Sequence, residues 1–174
     1  MSAWRSIGRL TALGLAAAAV AGCTTMAEIP AGTSLAEVQR EYGKPTLTCE
    51  RADGQQRAIW SQQPLGQYAW GTDVDAQGNV GEVIQLLDDR VFNQVSQGQW
   101  DAARVTCEFG PPAQVDSVGL PSVRKTVWGY RYMQYGTWHS IMNIFFDPET
   151  MLVVDHYPTP DPMYEYGDES SRSE

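Results

Sequence analysis

Histidine is nearly missing from these 174 residues: only His139 and His156 occur. Neither has the Cys, His or acidic neighbours at the spacing of a metal site, so no metal is expected. Gly-x-Ser-x-Gly is absent, as is the glycine-rich loop with Lys and Ser or Thr that cradles phosphates. Cys107 cannot be paired with either histidine from the sequence, which argues against a thiol nucleophile. The chain therefore reads as non-enzymatic and without a cofactor. Basic residues are also scarce, 12 against 21 acidic, for a formal charge of −9. That balance disfavours nucleic acid and anionic lipid as partners held by charge alone. A spanning helix needs about 20 apolar residues. The uncharged run "LTALGLAAAAVA" is shorter than that.

What the N-terminus does contain is a pattern. Arg5 and Arg9 precede that Ala-rich run with no acid among them, which is the arrangement of a secretory signal over residues 1–22. Without those residues the chain carries ten basic and 21 acidic side chains, a formal charge of −11. The run ends Val20-Ala21-Gly22-Cys23, which resembles a bacterial lipobox. The resemblance implies that Cys23 receives a diacylglycerol and becomes the mature N-terminus. Thr24 follows where an Asp would favour inner-membrane retention, so the expected address is the outer membrane, lipid-anchored and facing the periplasm. Cys49 and Cys107 remain, in a compartment that permits disulfides.

Residues 23–32 read as a lipidated tether. Ser34 and Glu37 then form a capping-box pattern, and Leu35, Val38 and Tyr42 share one helix face. Gly43 stands where a helix-ending glycine belongs and Pro45 forbids continuation. The same ending returns at Phe109, Gly110 and Pro112, with Asp101 as N-cap and a Trp100–Val105 staple. Gly43 to Gly110 is a step of 67 positions, and "RAIW" to "KTVW" (Trp60 to Trp128) is a step of 68. Asp75 at a turn returns as Asp147. Between these marks lie runs rich in aromatic and β-branched residues, punctuated by Gly, Pro and Asp. "LLDDRVFNQVSQG" reads as a helix leading into the second copy. The predicted fold is α+β: two tandem repeats, 33–86 and 87–157, each with a short helix or helix pair on a three- to four-stranded antiparallel sheet. The acidic, Pro-rich segment 158–174 predicts a disordered tail.

Asp73–Glu82 hints at a calcium loop. Gln77 and Ile84 occupy the positions where an EF-hand needs Asp or Asn and then Glu, so a hairpin turn is the expectation. On the second helix, Ala102, Val105 and Phe109 point to the sheet and Cys107 lies almost opposite them. An outward-facing thiol in an oxidising compartment calls for a partner. Either Cys49 and Cys107 bridge the repeats or both are free thiols. Trp128, Tyr130 and Tyr132 share one strand face by alternation, with Tyr135 and Trp138 close by. They form either sheet core or an exposed protein-binding platform.

These marks together resemble the SmpA/OmlA (BamE-like) lipoprotein family and the wider fold shared with β-lactamase inhibitor protein. The residues that carry the resemblance are Cys23, Gly32, Thr33, Ser34, Val38, Tyr42, Gly43, Pro45, Trp60, Asp75, Gly78 and Val80. The second copy supplies Val105, Phe109, Gly110, Pro112, Trp128, Asp147 and Leu152, with Gln99 in place of Gly32 and Thr150 near the hairpin glycine. The resemblance implies a non-catalytic binding or scaffolding module in outer-membrane or envelope assembly, attached through its lipid and held to an envelope protein. The tandem copy is similar to β-lactamase inhibitor protein and implies, alternatively, an inhibitor or sequestering module for a soluble partner. The oligomeric state is not legible.

Overall fold

The computed structural model describes residues 25–51 and 53–165. The signal segment, Cys23 and residues 166–174 lie outside the described residues. Two four-stranded antiparallel sheets follow one another along the chain, each in meander order. The first unit has α1 (Leu35–Tyr42), β1 (Leu47–Glu50), β2 (Gln56–Ser61), β3 (Ala69–Val74) and β4 (Ile84–Gln85). A short α2 (Asp89–Phe92) and a 3-10 turn (Asn93–Ser96) lead into the second unit. That unit holds α3 (Ala102–Phe109), β5 (Gln114–Val118), β6 (Lys125–Gln134), β7 (Trp138–Phe146) and β8 (Val153–Pro160). α4 (Pro162–Glu165) closes the described chain. The α+β tandem expected from the sequence is the observed architecture. None of the described helices is long and apolar enough to cross a membrane.

The repeat is physical as well as sequential. Ser34 Oγ accepts from the Glu37 amide, and Asp101 accepts from the Arg104 amide at 2.8 Å. Each N-cap also bridges to the hairpin of its own sheet: Ser34 to Asn79, and Asp101 to Leu152. Both helices end on a glycine at positive φ, Gly43 at 82° and Gly110 at 84°, where a side chain would be strained. The ring tip that braces each ending differs. Trp60 Nε1 donates to the Gly43 carbonyl at 2.9 Å, and Tyr130 Oη donates to the Gly110 carbonyl at 3.1 Å. The strand registers agree, with Leu47 opposite Ile59 and Gln114 opposite Gly129. Trp60 therefore corresponds to Tyr130, not to Trp128 two positions earlier. At the hairpin turn, the Gly78 carbonyl accepts from the Leu35 amide, and the Met151 carbonyl accepts from the Ala102 amide. Met151 adopts φ 53° without being glycine, and its side chain packs against the main core.

Asp75 and Asp147 organise the two matching turns. Asp75 Oδ1 accepts from the Gln77 and Asn79 amides, and Asp147 Oδ1 from the Glu149 and Thr150 amides. The Asn79 amide bond is the main cause holding Asp75 below the ordinary carboxylate value of 3.8. Bonds from Thr150 do the same for Asp147. A depressed folded-state pKa means that this stabilisation is complete above the unfolded value and is lost as pH falls through the folded one. Asp75→Asn with Asp147→Asn should flatten the acid limb of a thermal-midpoint profile below about pH 4. An unaltered limb in the double variant would refute the assignment.

The layers run α1, first sheet, α2 with α3, second sheet. Val38 of α1 packs on Ala58 and Trp60 from one face of the first sheet. The opposite face of that sheet gives Ile59 and Ala69 to a larger core. There they join Leu86, Phe92, Trp100, Val105, Phe109, Tyr130, Tyr132 and Ile144. α3 is thus covered on two sides. Cys107 is buried, not turned to solvent, because the first repeat's sheet covers the face that looked free within one repeat. There it joins Cys49 of β1 in a disulfide, with Cα atoms 5.8 Å apart. Beside it, Glu108 bonds both Arg51 and Arg57, and Asp73 binds the same two arginines.

Two expected boundaries move. The sequence predicts a tether over 23–32, but Met26 is buried with Val38, Trp60 and Val80. The Gly32 amide also donates to the Val80 carbonyl at 2.8 Å. The domain therefore begins at Met26. The sequence predicts a disordered tail over 158–174, yet β8 runs to Pro160 and Asp161 is 1% exposed. Its carboxylate meets Arg131 of β6. A buried acid with a cationic partner holds the segment that composition alone marks as disordered.

Candidate functional site

The five aromatics grouped by the sequence separate on folding. Tyr130 and Tyr132 are fully buried and belong to the core, which removes them from any binding platform. Their position follows from strand alternation, since even-numbered residues of β6 face α3. Burial pushes both phenols well above their ordinary pKa, and the Asp89 charge adds to this for Tyr132. Both stay protonated donors. Trp128 is half-buried, its ring 4.8 Å from that of Phe146. Tyr135 and Trp138 are the exposed pair, at 76% and 66%.

That pair sits on the tip of the long β6–β7 hairpin, with Trp138 opposite Gln134. The tip is braced from below. Asp89 at the start of α2 accepts from the Tyr132 hydroxyl at 3.0 Å and from the Tyr135 amide at 2.8 Å. Tyr135 takes φ 51°. A non-glycine residue in that region costs on the order of 1–2 kcal/mol. Met151 carries the same conformation with its side chain against the core; Tyr135 carries it with its ring in solvent.

The β2–β3 loop, residues 62–68, lies against the same hairpin. Arg131 belongs to β6 beyond the end of β5, so its backbone has no strand neighbour on that side. The Gln63 side chain supplies one. Its Nε2 donates to the Arg131 carbonyl at 2.8 Å and its Oε1 accepts from the Arg131 amide at 3.3 Å. Gln67, itself buried, lies 2.9 Å from His139 Nδ1. The His139 ring stacks on Tyr164 of α4 with centroids 3.8 Å apart. Leu65 on this loop is 70% exposed.

On its other side the loop borders a groove of about 700 Å³. Tyr42, Trp60, Tyr68 and Trp70 line it, together with Lys44, Thr25 and Met26. Tyr68 and Trp70 stack with centroids 6.3 Å apart. The sequence reading missed this groove because its aromatics come from α1, β2, the loop and β3. The one local sign was "QYAW", where two aromatics alternate along a strand start.

Neither a family model, nor a curated protein, nor a solved structure matches the chain. What the molecule offers to a partner is read from its geometry: a braced aromatic hairpin tip, an aromatic groove, and a loop tied to both.

Proposed function

We propose that this chain is an outer-membrane lipoprotein of SmpA/OmlA (BamE-like) character. It is anchored through Cys23, faces the periplasm, and binds an envelope protein without catalysis. The observation that carries the binding role is Tyr135. A large ring is held in solvent on a left-handed backbone position that glycine would occupy at lower cost. The Asp89 bond to the Tyr135 amide fixes this backbone, while the ring itself stays in solvent, where it can serve as a binding anchor. Trp138 beside it is the other anchor, and Trp and Tyr are enriched among residues that dominate binding energy. The lipobox resemblance and Thr24 support the outer-membrane address. His139 lies in the loop–helix contact with Gln67 and Tyr164, which is a structural use.

A second reading has support of its own. The two repeats share one core and a disulfide, so they present a single rigid body, as an inhibitor or sequestering module for a soluble protein would. Photocrosslinking in cells from position 138, followed by mass spectrometry, separates the two. An envelope-assembly protein in the crosslink supports the first reading, and a soluble periplasmic protein supports the second. With no protein partner at that position, both fall.

Tyr135→Gly gives an independent check. Relief of the backbone cost competes with the greater chain entropy of glycine, so stability should stay level or rise by up to about 1 kcal/mol. The crosslink yield from position 138 should fall about tenfold. A clear loss of thermal stability would mean that the ring is structural and the binding argument fails.

A further inference from the structure

The groove beside the chain's entry point has a direction imposed on it. Thr25 and Met26 are part of its rim, and Met26 is fixed in the core next to Trp60. Cys23 stands two positions before Thr25. Two extended residues reach about 7 Å. The headgroup layer on each side of a bilayer is roughly 5–7 Å deep. A lipid on Cys23 therefore leaves no slack: the rim of the groove comes to the headgroups. The ten-residue tether that the sequence suggested would have left the domain free to tumble; the observed packing of Met26 and Gly32 does not.

We infer that the groove lined by Tyr42, Trp60, Tyr68 and Trp70 is a membrane-seating surface that lies against the interfacial layer of a phospholipid bilayer. This rests on the lipid-anchored reading proposed above. The chemistry of the lining fits that layer, where Trp and Tyr rings with an apolar body and a polar tip are enriched. Tyr68 and Leu65 project from the adjoining loop at 42% and 70% exposure and can enter it. Lys44 is a single cation at the rim in a chain whose net charge is strongly negative. The matching surface is thus zwitterionic, seated by aromatic and tethering contacts rather than by charge. The Tyr135–Trp138 tip belongs to the second unit's hairpin and is kept for the protein partner.

Amide hydrogen exchange on the lipidated full chain in phosphatidylcholine nanodiscs tests this, with the secreted Cys23→Ala protein as the unlipidated reference. Amides of residues 42–44, 46, 61–63 and 65–70 should exchange at least fivefold more slowly in the anchored protein, while the β6–β7 tip is unchanged. A ten-residue Gly-Ser insertion after Thr24 should abolish the difference, and protection that persisted would overturn the short tether as its cause. Equal exchange in the groove of a protein whose intact mass shows the lipid would overturn this inference and leave the anchor standing. An intact mass without the lipid would overturn both.

Discussion

Replacing Cys49 and Cys107 together by alanine should lower the unfolding free energy by about 4 kcal/mol. The two cysteines lie 58 positions apart, and the chain-entropy relation for a loop of that size gives about 4 kcal/mol at room temperature. Most of the effect is on the unfolded chain, which becomes free to separate β1 from α3. The native arrangement has other ties at the same place. Glu108 binds Arg51 and Arg57, and both Arg57 and Glu108 are largely covered, at 6% and 12% side-chain exposure. The variant should therefore retain the native circular dichroism spectrum while its denaturation midpoint falls. Reductant alone should move the unaltered protein in the same direction. Coincident guanidinium curves for the oxidised and reduced protein would sink this account.

Phe109→Ala should be of similar size, about 3–5 kcal/mol. The ring is fully buried and meets three others: Phe92 at 4.9 Å, Trp100 stacked at 5.7 Å, and Tyr130 edge-on at 5.9 Å. Removing it leaves a cavity where α3 joins both sheets, and the neighbouring Gly110 ending cannot collapse into it without moving the disulfide. Tyr42 holds the same place in the first repeat, yet it is only half-buried at the edge of the groove. Tyr42→Ala should cost less than half as much. Urea unfolding of the two variants measures the difference, and equal costs would contradict the asymmetry between the repeats.

That asymmetry marks where reading the sequence stopped working. The helix endings were legible because a glycine at positive φ followed by proline is a local requirement, and it recurs intact at Gly43 and Gly110. Equating Trp60 with Trp128 failed by two positions. The shared need is a donor at the tip of a ring reaching the glycine carbonyl, and Tyr130 meets it with a hydroxyl. Matching residue names found the wrong neighbour. The sequence left a Cys49–Cys107 bridge and two free thiols open, and the fold decides for the bridge. The exposure of Cys107 was not, since the sheet that buries it belongs to the other repeat. Asp161 was assigned to a loose tail for the same kind of reason: its partner Arg131 lies 30 positions earlier. Of the five candidate aromatics, strand alternation placed Trp128, Tyr130 and Tyr132 correctly on one face. Which face was covered depended on α3 and the first sheet. The groove was invisible because its four rings come from separated elements.

The double cover on α3 also sets an order of events. The first sheet turns Ile59, Ala69 and the Arg57 guanidinium towards a helix that begins 33 to 45 positions later in the chain. A chain delivered N-terminus first has that sheet's inner face bare until α3 has been delivered. The first repeat by itself is then an unfinished half, and the pair should melt as one cooperative block, with a single calorimetric transition whose van't Hoff and calorimetric enthalpies agree. Neither repeat closes its own core without the other.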